Sequence, residues 1–237
     1  MIDATSDILI FDTKLKAERD YWLRRLAAVS TTSLLTPDYE RYGSDRRESI
    51  EIVVPAELNQ QVCALAGGSP FLLYTVLMAA LKVCLYKYTN QELITVGSPP
   101  LRELGKANAL TIVDQLDSEQ SFQELLLQVR ESLLAAYAHQ QYPFSRLLRD
   151  LQLETNGNCP LFGVALVLTN LHGMLAETRQ DVTLTFTRSA DELSGQVEFK
   201  PERFKPTSIE RLRDHFINIL RAGVAHGDLI LESLLLP

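Results

Sequence analysis

The sequence predicts a single α/β domain, a mixed sheet packed with helices. Three observations carry that expectation. Short runs of alternating apolar residues recur between segments of helical periodicity, several helix starts carry recognisable caps, and no repeat, low-complexity tract or long linker divides the 237 residues. A chain of this length with 46% apolar residues can fill a substantial core.

The elements follow in order. Asp12 or Thr13 is placed to cap a helix reaching about Val29, with Leu15, Trp22, Leu26 and Val29 at helical spacing. "SIEIVV" alternates as a strand, a second helix follows Pro55, and Gly67-Gly68 ends it as residues that tolerate positive φ. Ser69 caps the next helix, with Pro70 at its first position, where the missing N–H costs nothing. That helix is apolar nearly all round and belongs deep in the core. "LITVGSP" and "ALTIVDQL" are strands, and Ser121 to Glu124 spells a capping box that opens a helix with Phe122, Leu125, Leu126, Val129, Leu133 and Ala136 on one face. A shorter helix follows Pro143. "GVALVLTN", "VTLTFT" and "LSGQVEF" are three further strands, the last two joined by "RSADE" as a hairpin. Thr207 and Glu210 read as a second capping box, opening a final helix to about Gly223 with Ile209, Leu212, Phe216, Ile219 and Leu220 inward.

Composition excludes several classes of function. The net charge of −7 and pI near 5.2 argue against a nucleic-acid partner, and the pairs Arg24-Arg25 and Arg46-Arg47 are too short to reverse that balance. Three cysteines, Cys63, Cys84 and Cys159, lack CxxC spacing, so they suggest neither a disulfide framework nor a zinc site and suit a reducing cytoplasm. Met1-Ile2-Asp3-Ala4 begins no secretory signal, and Lys82 and Lys87 interrupt the one strongly apolar run before it reaches membrane-spanning length. The expectation is therefore a cytoplasmic protein with no membrane partner.

Candidate chemistry is sparse. His139 stands between an apolar helical pattern and Pro143, where it reads as a helix end at which a cation meets exposed carbonyls. His172 lies at a strand end, His215 on the polar side of the final helix, and His226 just beyond it, all with structural or solvent roles. Gly97-Ser98-Pro99 follows a strand as a nucleophilic serine would, but the Pro-Pro pair prevents the helix that a nucleophile elbow needs. Gly67-Gly68-Ser69 lacks the lysine of a phosphate-binding loop. Asp114 and Asp117 read as solvated acids near a strand end. Catalytic, cofactor-binding and metal-binding residues are all expected to be absent.

"HQQYPFSRLLRDL" closely resembles the HQ-x-x-PF-x-x-L motif in the second half of nonribosomal peptide synthetase condensation domains. Neighbouring segments appear in that family's order: "RDYWLRRL", "PFLLYTVLMAALKVCLYKYT", "ITVGSP", "CPLFGVALVLTN" and "VEFKPERFKPTSIERLRDHFINIL". The resemblance runs from about Asp12 to Leu236. It implies a chloramphenicol acetyltransferase-like (CoA-dependent acyltransferase) fold, in which two similar lobes enclose the active site. It further implies that this chain is the C-terminal lobe only, with residues 1–12 as a lead and 13–237 as the lobe, ending in a linker towards an adenylation domain.

The family's HHxxxDG motif belongs to the other lobe, and no two histidines are adjacent here. The usual G-x-F-V-N-T-x-x-x-R segment corresponds to "GKANALTIVDQ", where Asn108 aligns with the family's asparagine but alanine follows and the arginine is missing. "NGNCPLF" replaces a more basic segment. The resemblance thus implies a truncated, noncatalytic condensation domain serving as a structural or docking platform in an initiation module. Its partner would be an adenylation domain following Pro237. It would bind no cofactor, and a carrier protein bearing phosphopantetheine is a second candidate partner. The rival readings are one lobe of a split enzyme completed by another chain, and a free-standing carrier-protein binding module.

Overall fold

The computed structural model describes residues 4–29, 34–40, 46–155, 157–189 and 192–234, with side chains from Leu15 onward. Met1–Asp3 of the N-terminal reading, Ala190 and Asp191 of the hairpin turn, and Pro237 lie outside the described residues. Six helices and six strands are described: α1 Ala4–Leu26, β1 Glu48–Val53, α2 Ala56–Leu65, α3 Pro70–Thr89, β2 Leu93–Ser98, β3 Leu110–Gln115, α4 Phe122–Ala138, α5 Phe144–Asp150, β4 Val164–Leu168, β5 Val182–Arg188, β6 Leu193–Phe199 and α6 Pro206–Ala225. Single 3-10 turns occur at Arg102–Leu104 and Leu231–Ser233.

The strands form one sheet in the order β1-β6-β5-β4-β2-β3. β2 and β4 are parallel, as are β4 and β5, whereas β1–β6, β5–β6 and β2–β3 are antiparallel, so the predicted mixed sheet and the β5–β6 hairpin both form. Register separates two faces. Ile50, Val197, Leu184 and Leu166 line up on the face that α3, α4 and α6 cover, with α2 packed on α3 and α6. Ser49, Glu198 and Thr183, then Glu51, Gln196 and Thr185, occupy the opposite face. That second face is threonine- and glutamate-rich from β1 to β5.

α3 is the centre of the core: every residue from 73 to 85 is buried, Lys82 included. By length and composition it could cross a membrane, but 72% of its most apolar window is buried inside this fold. Ser69 accepts the Leu72 N–H as the predicted cap, Pro70 stands in the first turn, and Asn90 closes the helix in the left-handed conformation. Gly67 and Gly68 both have positive φ, as the turn between α2 and α3 requires. Gly97 serves packing instead, since a Cβ there would lie 2.3 Å from the Phe162 ring. Phe162 in turn packs on Phe144 at a centroid distance of 5.7 Å, which seats α5 beside β2 and β4.

Two helix starts differ from expectation. The helix expected from Asp12 or Thr13 begins at Ala4 and ends at Leu26, with Val29 in the turn beyond it. The Thr207–Glu210 box does not form. Lys205 is the N-cap of α6 and Pro206 enters the first turn, because Asp38 arrives from far upstream to accept the Lys205 N–H at 2.9 Å and the Ser208 hydroxyl at 3.0 Å. The Ser121–Glu124 box forms in full and opens α4. The inward residues named for α6, Ile209, Leu212, Phe216, Ile219 and Leu220, are all buried.

The chain's last described stretch is tied down along its length. Leu229 and Gly227 carbonyls accept the Phe122 and Gln123 N–H groups, while Leu231 and Glu232 donate to the Gln120 and Ser118 carbonyls. Lys87 donates to the Glu232 carbonyl at 2.8 Å, and Leu231 and Leu234 are buried.

Candidate functional site

The stretch from Ala136 to Leu151 is where α1, the end of α4 and α5 meet. Trp22 donates its indole N–H to the His139 carbonyl at 2.9 Å, and the Tyr21 ring stacks on the His139 imidazole with centroids 4.1 Å apart. Asp150 accepts from the Tyr142 hydroxyl and, at 2.9 Å, from Arg19. Asn108, just before β3, holds the loop shut. Its amide donates to the Gln140 and Tyr142 carbonyls at 2.8 and 2.9 Å, and its oxygen accepts the Phe144 N–H at 2.9 Å. Asn108 is therefore a clamp on the HQQYPF loop. Asn108→Ala strands three backbone groups, two of them in buried bonds, and is expected to cost about 3 kcal/mol in urea unfolding. A loss below about 1 kcal/mol would show that solvent replaces those bonds.

His139 closes α4, as the sequence suggests, but not as a cation. Burial against its neighbours and the nearby Arg24 charge lower its pKa from the ordinary histidine value, leaving the ring neutral at pH 7. It packs by stacking instead.

His172, expected at a strand end in a loop, is buried and joins a polar cluster that sequence spacing did not reveal. Its Nδ1 accepts the Leu168 N–H at 3.0 Å, so the neutral ring carries its proton on Nε2, which lies 2.7 Å from the Tyr137 hydroxyl. The Tyr137 hydroxyl reaches Ser98 Oγ at 3.2 Å, and the Tyr74 hydroxyl donates to the Leu166 carbonyl at 2.9 Å while lying 2.9 Å from Ser98 Oγ. Burial pushes His172 down to about 3 and raises both tyrosines. Ser98, Tyr74, His172 and Tyr137 are 0, 0, 4 and 6% exposed. A histidine, a tyrosine and a serine in a row have the form of a proton relay, but here the Ser98 hydroxyl is fully buried and bonded within the core. The signal available in the sequence was Tyr74 at the buried start of α3.

His215 meets the Tyr88 hydroxyl at 2.9 Å through Nδ1, and His226 is the C-cap of α6, donating its N–H to Ala222. Asp117 is exposed and turns the chain by accepting the Glu119 N–H, as expected of a solvated acid. Asp114 is not solvated. It is fully buried, 3.1 Å from Lys82 Nζ and 3.7 Å from Arg25, and accepts from the Ser132 hydroxyl. Its position on the helix-covered face of β3 brings it under α3 and α4, which spacing alone could not indicate. Burial raises the Cys84 thiol and pushes Cys159 up to about 11, so neither is a ready nucleophile. Among the described residues no group of three or more His, Cys, Asp or Glu could hold a metal ion.

A hollow of about 560 Å³ lies beside the loop, between Leu15, Leu104, Lys106, Ala107, Pro143 and Arg146. It offers two cations, Lys106 and Arg146, beside an apolar wall.

The family model described as Condensation domain matches residues 10–237. A linear gramicidin synthase of Brevibacillus parabrevis is 32% identical over 262 residues, covering 97% of this chain and 5% of that protein. Bacitracin synthase 1 of Bacillus licheniformis is 27% identical over 93% of this chain, again 5% of that protein. This chain therefore spans about a twentieth of the curated relatives' length. Among solved structures, the X-domain in complex with OxyB from teicoplanin biosynthesis superposes with a TM-score of 0.82 at 17% identity, over 94% of this chain and 56% of that one. The four-domain nonribosomal peptide synthetase AB3403, bound to AMP and glycine, gives 0.76 at 18% identity over 98% of this chain and 20% of that one. The covered half of the X-domain corresponds to a single lobe of the chloramphenicol acetyltransferase-like fold. Sequence, family match and fold agree: the chain belongs to the condensation domain family of nonribosomal peptide synthetases.

Proposed function

We propose that this chain is a truncated, noncatalytic condensation domain acting as a docking platform in the initiation module of a bacterial, cytoplasmic peptide synthetase. Its partner is an adenylation domain after Pro237, with a phosphopantetheine-bearing carrier protein as a second, transient contact. The observation that carries the platform role is the pinned tail: four backbone hydrogen bonds to residues 118–123 and one from Lys87 fix the chain's path to Leu234. A domain attached beyond such a tail is held close to this lobe, which raises its effective concentration at the lobe's surface. The absence of catalysis is supported by the histidines. His139 is stacked, His172 is sealed in, His215 meets a tyrosine and His226 ends a helix. The polar uncovered face of the sheet also suits a lobe that stands without a second one.

The test pairs two measurements. Coexpression with a separate N-terminal lobe carrying HHxxxDG, followed by acyl transfer from a loaded carrier protein, is expected to give no turnover. Turnover that vanishes when the supplied lobe's motif histidine is changed overturns the proposal in favour of a split enzyme. Titration with isolated adenylation and carrier domains is expected to favour the adenylation domain. Tighter carrier binding would identify a carrier-binding module instead.

A further inference from the structure

The two edges of the sheet are treated differently. At β3, Arg25 donates to the Val113 carbonyl and Gln128 to the Gln115 carbonyl at 2.8 Å, so two outward-facing acceptors are already taken. At β1, among the described residues, the outward contact is to Glu51, whose carbonyl accepts from Arg213 at a long 3.4 Å. That contact shows which way the Glu51 carbonyl points. By the alternation of an antiparallel ladder, Ser49, Glu51 and Val53 turn their N–H and C=O groups away from β6.

A groove of about 540 Å³ runs along this edge, between Glu51 and Val53 of β1 and Arg213, Asp214, Asn218 and Arg221 of α6. Val53 is 67% exposed although it is a large apolar residue in a strand. Arg213 pairs with its own neighbour Asp214 at 2.8 Å, and Arg221 has a hydrogen bond only to the Asn218 amide oxygen at 3.0 Å. The Arg221 guanidinium has no carboxylate partner among the described residues. Backbone donors and acceptors, an apolar contact and a cation that suits a carboxylate thus lie side by side.

We propose that this edge binds an extended acidic peptide segment, which adds to the sheet as a seventh strand beside β1. Six residues suffice, spanning roughly 20 Å at about 3.3 Å per residue. Glu51 lies on the open face, opposite α6, so the segment alternates: carboxylates turn towards Arg221, and neutral hydroxyl side chains turn towards Glu51. Main-chain bonds supply affinity, and the alternating charge supplies direction and register. The proposal is independent of the platform role, because the pinned tail lies against α3 and α4 rather than against β1.

The probe is a fluorescein-labelled hexapeptide alternating threonine and glutamate, compared with one alternating threonine and lysine, by anisotropy against the full chain. The glutamate peptide is expected to bind at least tenfold tighter, to weaken at least tenfold in Arg221→Glu, and to slow amide exchange at Ser49 and Val53. Arg221→Glu is an exposed change that leaves the fold intact; Glu51→Pro, which removes an outward N–H, is expected to abolish binding. Equal binding of the two peptides, no binding of either, or indifference to Arg221→Glu would each overturn the proposal. Concentration-dependent dimerisation in sedimentation, lost in Glu51→Pro, would overturn it too by assigning the edge to a second copy of this chain.

Discussion

Lys82→Met is expected to lower the unfolding free energy by about 3–5 kcal/mol, because it leaves a buried carboxylate without its main counter-charge. Lys82 and Asp114 are both fully buried, with Nζ and Oδ2 3.1 Å apart. The ammonium also donates to the Ile94 and Ile112 carbonyls at 3.2 and 2.8 Å, so one side chain of α3 ties β2 to β3. Burial pushes the Lys82 pKa down and Asp114 pulls it back up, so the group depends on its partner to stay charged. Arg25 completes the arrangement from α1 by bonding Ser132 at 2.8 Å while standing 3.7 Å from Asp114. The double variant Lys82→Met with Asp114→Leu should recover much of the loss, since a well-packed apolar pair avoids both desolvation penalties. Urea unfolding of the three variants gives the coupling directly. If the double variant loses as much as the sum of the two single changes, the pair does not act as a unit.

The second large effect is on pH dependence, through His172. Its pKa is pushed down to about 3 in the folded chain, against an ordinary value near 6.5. Between those values the unfolded chain takes up a proton that the folded chain refuses. The stability contributed by the neutral, buried ring is therefore complete above pH 6.5 and is lost as the solution becomes more acidic. The expected slope is about 1.4 kcal/mol per pH unit, or roughly 3 kcal/mol by pH 4. His172→Asn retains an acceptor for the Leu168 N–H but loses Tyr137, so it should be less stable by about 1–3 kcal/mol at pH 7.5. It should also lack this slope, so the difference from the parent chain shrinks on acidification. Unfolding curves of the two proteins that stay parallel from pH 7.5 to 4.5 would refute this account of His172.

The parts of the fold legible in the sequence are those fixed by local chemistry. Ser121 and Glu124 cap α4 reciprocally, Ser69 and Pro70 start α3, and the alternating runs became strands of one mixed sheet. What sequence reading missed comes from afar. Asp38 displaces the Thr207–Glu210 box by capping α6 across 167 and 170 residues, to Lys205 and Ser208. Asp114 looked solvated because Lys82, 32 positions earlier, gives no local sign of pairing with it. The motif stretch was legible as lineage but not as architecture. Nothing in "HQQYPF" itself discloses that Asn108 holds the loop or that Trp22 bonds the His139 carbonyl.

The strand order also constrains how the protein is made. β1 pairs only with β6, through partners from Glu48↔Phe199 to Val53↔Ser194, so the earliest strand synthesised waits for the latest one. At a bacterial or eukaryotic elongation rate of about 5–20 residues per second, that interval is on the order of ten seconds. During it, Ile50 and Ile52 have no sheet to join, and pairing across so long a loop is intrinsically slow. Nascent chains should thus be most vulnerable to misassociation before β6 emerges, and a ribosome pause between β5 and β6 should lower soluble yield more than one placed after α6.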